Sequence, residues 1–321
     1  MTSTREDHAD VSATTLEELA MHRPRLHRHC YRMLGSLHDA DDAVQEAMTR
    51  AWRGLDRFDG RSSMGTWLHA IATNVCLTAI DRRQRRPLPV DLTPPSDPQT
   101  TDWTTRDQWL EPYPTSGLPS PELHAERVET LGLAFVAACQ RLPPLQRAVL
   151  LLREVHGFSA REVADILETT VPAVNSALQR ARRTLRREPA QASSHGDGGD
   201  RSIADLADAY VDAWERGDVA GVVALLAADA TFQMPPIPVW FRGRSDIERF
   251  LPLGPMTERW RLVPTSANGQ LAFGCYAWDG PGEAFVGHSL DVLTVVGGEI
   301  RDITAFLRPD LLGRFGLPSR L

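Results

Sequence analysis

The side chains best suited to chemistry in this 321-residue chain are amides, hydroxyls and guanidinium groups set at helical spacing. In VPAVNSALQRARRTLRR (residues 171–187), Val174, Leu178, Ala181 and Leu185 recur at steps of four, three and four, which marks a helix with one buried stripe. Asn175, Ser176, Gln179, Arg180, Arg182 and Arg183 fall outside that stripe. Amides and guanidinium groups near the start of such a helix can bond base edges in a DNA major groove. Arginines further along can neutralise phosphates. The competing reading is a solvated amphipathic helix on an ordinary bundle.

The residues upstream supply the positioning. LPPLQRAVLLLREV (142–155) is an apolar-faced helix opened by prolines, and His156-Gly157-Phe158 reads as a turn. Ser159 then stands three residues before Glu162, a capping-box signature. The short helix SAREVADIL buries Val163, Ile166 and Leu167. Two helices joined by a tight turn, the second with a polar, Arg-rich outer face, predict a helix-turn-helix.

A second polar constellation lies near the N-terminus. In residues 39–58, Val44, Met48, Ala51, Leu55 and Phe58 mark the apolar face of a helix, and Asp42, Gln45, Glu46, Thr49 and Arg53 the opposite one. Asp59-Gly60-Arg61-Ser62-Ser63 breaks the pattern. A second helix is expected from Met64, with Trp67, Ile71, Val75 and Ile80 on its buried side and Asn74 among its polar residues. It ends in Arg82, Arg83, Arg85 and Arg86, more positive charge than a helix terminus needs for its dipole.

The C-terminal part offers His288 and Asp291 in one strand, with Tyr276 and Trp278 in a neighbour. Groups of this kind can transfer a proton beside a carbonyl. Residues three apart point to opposite faces of a strand, so this pair can line one pocket only if a bulge intervenes. No catalytic residue is therefore assigned. Trp214, Trp240, Phe241 and Trp260 could line a ligand cavity, with core packing the favoured reading for most of them. The segment 202–232 reads as two helices broken at Gly217-Asp218 and then a strand. Ser245 and Glu248 suggest another capped helix. After residue 259, apolar segments separated by ANGQ, DGPGE and GGE predict an antiparallel meander. Helices before a meander imply an α+β fold with the helices on one sheet face.

The chain has a formal charge of −7, yet residues 125–188 hold ten arginines against seven acids, and residues 87–124 one arginine against six. The net value hides local basic patches, which count for nucleic-acid binding. Residues 87–124 also contain nine prolines and keep no helical or strand period, so they read as an acidic linker. Residues 189–200 form a second, Gly/Ser-rich linker. The expected organisation is thus 15–86 (helical), 87–124 (linker), 125–188 (helix-turn-helix), 189–200 (linker) and 201–321 (α+β). All 35 basic residues are arginine, uniformly along the chain, which reads as codon bias. Four cysteines far apart in sequence argue against a zinc site or disulfide frame. No apolar run is long enough for a membrane span, and the N-terminus lacks a signal core, so a cytoplasmic protein without membrane attachment is expected.

The stretch from Tyr31 to Arg86 resembles region 2 of extracytoplasmic-function (ECF) sigma factors, and that from Leu142 to Arg187 resembles their region 4. The C-terminal block resembles SnoaL-like domains of the nuclear-transport-factor-2 fold, through YVDAWERGDVAGVVALLAADATFQMPP and DITAFLRPDLLGRFGLP. WLEPYP (Trp109–Pro114) is similar to a linker segment of sigma factors with such an extension. The resemblance implies two all-α sigma domains plus a C-terminal α+β cone, and a protein that is not an enzyme and uses no cofactor. Core RNA polymerase and promoter DNA are the implied partners; a small ligand of the C-terminal domain is left open.

By position, Asp42, Gln45, Glu46 and Thr49 would dock on polymerase. Asp59, Gly60, Arg61, Ser62 and Ser63 would hold an unstacked base of the minus-ten element, with Asn74, Arg82 and Arg83 lining that strand. Asn175, Ser176, Gln179, Arg180 and Arg183 would enter the minus-thirty-five major groove. The linker, able to span ~130 Å when extended, would thread a basic polymerase channel. The C-terminal domain, kept at high effective concentration by its short tether, would regulate intramolecularly. Two departures stand out. Glu168 sits in the helix-turn-helix turn where relatives often have glycine, so the turn must close without a free left-handed residue. Asn175-Ser176-Ala177 replaces the common Lys-Ser-Arg, so base preference does not transfer. Two alternatives remain. One is a helix-turn-helix regulator with a ligand-sensing domain, which leaves the Asp42/Gln45 face and the 59–63 loop unexplained. The other is a SnoaL-like enzyme fused to a DNA-binding module.

Overall fold

In a computed structural model, residues 3–81, 86–99, 103–105, 108–115, 130–186 and 202–321 are described. The chain divides into two units interleaved in sequence: residues 1–86 with 138–189, and residues 87–137 with 190–321.

The first unit is helical. Helices α1 (Ser3–Leu34), α2 (Leu37–Gly54) and α3 (Met64–Ile80) pack on one another. Gly35, at φ +70°, turns the chain between the first two, and Ser36 caps α2 by accepting from the Asp39 backbone N–H at 3.2 Å. Ala40, Ala43, Ala47 and Ala51 give α2 a small-residue buried face. Helix α4 (Leu133–Gln140) contains the boundary between the units. Helix α5 (Pro144–Leu150) runs into one π turn, Leu151–Val155; α6 (Ala160–Ile166) and α7 (Val171–Arg186) follow.

The buried face of α3 is rotated from the expected one. Leu68, His69, Ala72, Thr73, Val75 and Cys76 are inside, while Trp67, Ile71 and Ile80 are only half-buried. Two polar residues on the inner face misled the periodicity. Thr73 donates its hydroxyl to the His69 carbonyl, so its oxygen must accept from His29 Nε2 at 3.0 Å. His29 Nδ1 is then an acceptor, and His156 Nε2–H donates to it at 3.1 Å. Burial, His69 and Arg32 hold His29 well below the usual histidine range, and His156 is lowered for the same reasons. Buried Arg147 joins distant parts of this unit: it donates to the Met33 carbonyl, to Gln140 Oε1 at 2.7 Å and to the Gln140 carbonyl at 2.9 Å.

The second unit is α+β. Helices α8 (Ile203–Arg216), α9 (Val219–Ala224) and α10 (Arg244–Phe250) accompany a six-stranded sheet in the order β2-β1-β6-β5-β4-β3. The strands are β1 (Leu226–Gln233), β2 (Trp240–Arg242), β3 (Trp260–Ala267), β4 (Gln270–Asp279), β5 (Ala284–Val296) and β6 (Glu299–Phe306). Strands β3 to β6 form the antiparallel meander, and β1 adds to it parallel to β6. Gly217, left-handed at φ +65°, ends α8, and Asp218 caps α9. Ser245 is no cap: α10 begins at Arg244 behind Gly243, so the Ser-x-x-Glu spacing lies inside the helix.

The acidic, Pro-rich segment belongs to this second unit over its described stretches. Leu88, Trp109, Leu110 and Tyr113 are buried. The Trp240 indole donates to the Thr93 carbonyl at 2.9 Å, and Ser96 N–H donates to the Trp240 carbonyl at 2.7 Å. Proline removes strand and helix periodicity but not docking, because carbonyls still accept hydrogen bonds. The segment 189–200 lies outside the described residues.

Candidate functional site

The outer face of α7 carries the expected polar residues. Val174, Ala177, Leu178 and Ala181 are buried, and Asn175, Ser176, Gln179, Arg180, Arg182 and Arg183 are exposed. Arg180 donates to the Ser176 hydroxyl at 2.6 Å, and Arg182 pairs with Glu154. The helix is fixed from behind by α6, whose Ser159–Glu162 capping box is present in full. The turn between them closes at Glu168, which itself takes the left-handed conformation at φ +48°. The expectation that no left-handed residue was available is corrected: the glycine position keeps its backbone shape and bears the strain of a Cβ.

On α2, Asp42, Gln45 and Glu46 are exposed and Thr49 half-buried, in one row along the helix. Glu46 pairs with Arg50 at 2.7 Å, and Thr49 donates to the Gln45 carbonyl at 2.8 Å. Asp59, Gly60, Arg61, Ser62 and Ser63 form an exposed loop, with Gly60 at φ +70° and Arg61 paired to Asp59 at 2.7 Å. Ser63 has a structural task, since it caps α3 by accepting from Thr66 N–H at 3.0 Å. Asn74 is exposed on α3, and Phe58 packs on Trp67 with ring centroids 5.0 Å apart. Arg82 and Arg83 lie outside the described residues.

The second unit holds a cavity of about 480 Å³. Its key is a bulge in β5: Cys275 pairs with Ser289 and Tyr276 with Gly287, leaving His288 as the extra residue. The bulge brings His288, Ser289 and Asp291 to the same wall, which is the condition under which His288 and Asp291 can line one pocket. Asp291 is buried. Ser289 donates to its Oδ1 at 2.9 Å and Tyr210 to its Oδ2 at 3.4 Å. Burial pushes its carboxyl up to about 6 against these hydrogen bonds. His288 is lowered by partial burial, with Glu258 opposing. Trp214 and Trp260 line the cavity; Trp240 and Phe241 do not. Tyr276 turns away and donates to the Pro318 carbonyl at 2.9 Å. Trp103, from the interdomain segment, also lines the cavity, and no periodicity could have located it there.

A polar helix face behind a capped turn, a second helical constellation and an α+β domain with a cavity define a multidomain sigma-type architecture. Family models match accordingly: Sigma-70 region 2 over residues 19–86, Sigma-70 region 4 over 133–185, and the SnoaL-like domain over 207–303. The chain belongs to the ECF RNA polymerase sigma factors. It is 41% identical over 328 aligned residues to ECF RNA polymerase sigma factor SigG of Mycobacterium tuberculosis, covering 98% of this chain and 86% of that one. It is 29% identical to ECF RNA polymerase sigma factor SigW of Bacillus subtilis, over 52% of this chain and 84% of that one. The crystal structure of M. tuberculosis ECF sigma factor SigJ shares the fold, with a TM-score of 0.63 and 24% identity over 95% of this chain and 99% of that one. Among the described residues, no helix is long and apolar enough to cross a membrane.

Proposed function

We propose that this protein binds core RNA polymerase and directs transcription initiation by recognising minus-ten and minus-thirty-five promoter elements, with its C-terminal domain as an intramolecular regulator. The observation that carries the reading is the pairing of the region 2 and region 4 matches with an exposed Asn/Gln/Arg face on α7. In this reading Asn175, Ser176, Gln179, Arg180 and Arg183 meet the minus-thirty-five groove. Asp59 to Ser63, Asn74, Arg82 and Arg83 hold the melted minus-ten strand, and Asp42, Gln45, Glu46 and Thr49 meet polymerase. The protein acts in the cytoplasm as a specificity subunit rather than as an enzyme.

Regulation follows from the interdomain segment. The second unit holds Thr93, Ser96 and Tyr113, so a segment needed to connect two promoter-reading domains is bound to the regulator. Release of that segment would accompany engagement of polymerase. The test is reconstitution of the full-length protein with core polymerase and sequencing of transcripts made from genomic DNA. Promoter-specific starts that vanish with Gln179→Ala plus Arg180→Ala support the reading; starts identical to those of core polymerase alone overturn it.

A further inference from the structure

Three histidines meet where region 2 packs on region 4. His29 lies on α1, His69 on α3, and His156 directly after the π turn. The His69 and His156 ring centroids are 4.4 Å apart, those of His29 and His156 5.0 Å, and those of His29 and His69 5.5 Å. His29 and His69 are buried and His156 is half-buried. Phe158 closes one side, its ring 5.4 Å from that of His69. His69 Nδ1–H donates to the Gly65 carbonyl at 2.7 Å. The Thr73–His29–His156 chain uses His29 Nδ1 as an acceptor, which only a neutral ring supplies. A second proton on His29 would set two N–H groups against each other across 3.1 Å.

The charged surroundings oppose that proton as well. Arg28 and Arg32 act on the cluster from α1, and the other histidines from α3 and the turn; no carboxylate is among them. Glu154 of the π turn is paired with Arg182, and Glu162 is held in the α6 cap. A metal ion would meet the same arginines, and among the described residues no cluster is arranged to hold one. Apolar side chains would fill this contact without burying polar rings, so packing alone does not account for three histidines. Two further bonds cross the contact, Arg147 to the Met33 carbonyl and Gln140 to the Arg32 carbonyl at 3.1 Å, and neither titrates near neutrality.

The closed contact conflicts with reading a whole promoter. Helix α3, which carries Asn74, packs on α5 and α6, the same helices that hold α7. Asn74 and Gln179 therefore share one compact unit, roughly 40 Å across for its size. The minus-ten and minus-thirty-five positions are about 25 base pairs apart, roughly 85 Å of duplex. Region 2 must leave region 4 before both elements can be read.

We propose that the His29–His69–His156 cluster is a proton-operated latch: neutral, it holds region 2 on region 4, and protonation of His29 and His156 releases the two. Its purpose rests on the proposed promoter-reading function, whereas the release is a property of the free protein. Once open, both rings return toward the ordinary histidine value of about 6.5. Below that pH the open form binds protons that the closed form refuses. The open-to-closed ratio then rises up to about tenfold per pH unit for each of the two.

The test uses full-length protein without polymerase or DNA. Spin labels are placed at Arg53→Cys in region 2 and Thr184→Cys in region 4, both exposed, while the four native cysteines are buried. Their separation is read by pulsed electron spin resonance from about pH 8 to about pH 5.5, around the histidine range, with circular dichroism reporting helix. One short distance is expected at the upper end, and a longer population should grow as the pH falls while the helix signal holds. His29→Gln plus His156→Gln keeps a donor and an acceptor at each position without the titration, and should stay closed throughout. His156→Gln alone, at the half-buried position, should halve the pH slope on a logarithmic scale. A distance in the wild type that ignores pH overturns the proposal. So does an equal shift in the double variant, or helix loss in step with the longer distance, which is melting and not release. Transcript starts test the promoter reading separately, so either can fail alone.

Discussion

Asn268 and Tyr113 bind each other in both directions: Tyr113 N–H donates to Asn268 Oδ1 at 2.8 Å, and Asn268 N–H donates to the Tyr113 carbonyl at 2.7 Å. Asn268 also donates its amide to the Leu131 carbonyl at 2.7 Å. Its left-handed backbone, φ +55°, is the first of two such positions in the Asn268-Gly269 turn between β3 and β4. One turn residue thus makes a hairpin and holds both Tyr113 of the interdomain segment and Leu131 beyond it.

Asn268→Ala should lose both services. Buried backbone groups left without partners cost about 1–3 kcal/mol each, and a left-handed alanine adds about 1 kcal/mol. A loss of about 2–4 kcal/mol is expected from urea unfolding of the second unit, with faster proteolysis near Tyr113. Asn268→Gly should restore the turn but not the segment, giving normal hairpin protection and fast cleavage.

Glu168→Gly should stabilise the first unit by about 0.5–1 kcal/mol, since left-handed backbone strains any residue with a Cβ. Glu168→Val should cost about 1–2 kcal/mol, because branching at Cβ worsens the clash. Thermal unfolding followed through this unit reads both. Equal stability in the wild type and both variants would show that the turn relaxes.

The two units should respond to acid with opposite signs. His29 and His156 are neutral when folded, and protonating His29 Nδ1 would set its new N–H against the one already donated by His156. Below the unfolded pKa of about 6.5 the unfolded chain binds protons that the folded one refuses. The first unit should then lose up to about 1.4 kcal/mol per pH unit for each histidine. His29→Gln should flatten the slope.

Asp291 runs the other way. Its folded pKa of about 6 exceeds the unfolded 3.8, so the folded state binds the proton first, and stability falls as pH rises across that window. The loss is about 3 kcal/mol by pH 7. Asp291→Asn should recover part of it near neutrality and remove the dependence between pH 4 and 6, read by hydrogen exchange in β5.

Arg183→Ala should weaken promoter binding of the reconstituted polymerase uniformly across sequences and lower the salt slope by about 0.9. Gln179→Ala should instead cost about 1–3 kcal/mol of discrimination at a single base pair. A change of sequence preference in the arginine variant would reverse the two assignments.

The helix-turn-helix was legible in the sequence because its signals are local: a capping box, a 4-3-4 stripe and a polar outer face. The meander was legible through Asn268-Gly269 and Gly297-Gly298, whose positive φ angles are what glycine-rich hairpin turns require. The cavity was legible only in part: Trp214 and Trp260 stand out as possible lining, while the bulge that His288 and Asp291 need to share a wall cannot be located from the sequence. A one-residue bulge at His288 reverses the strand parity that had separated it from Asp291, and nothing in β5 advertises the insertion. The docked Pro-rich segment was missed for a similar reason. Its order comes from backbone bonds to Trp240 and Asn268, more than a hundred residues away, and not from any repeat of its own.

Interleaving of the two units has a consequence for the growing chain. Residues 87–137 leave the ribosome before Trp240 and Asn268, which bind Thr93, Ser96 and Tyr113, and the first three helices emerge before Arg147 can reach the Met33 carbonyl. The first unit has all its residues once 138–189 have emerged, whereas the second must wait for 190–321. The nascent chain must carry Thr93, Ser96 and Tyr113 without their partners Trp240 and Asn268 for more than a hundred residues of synthesis, so its yield in the cell should depend on holdase chaperones more than the stability of the finished protein suggests.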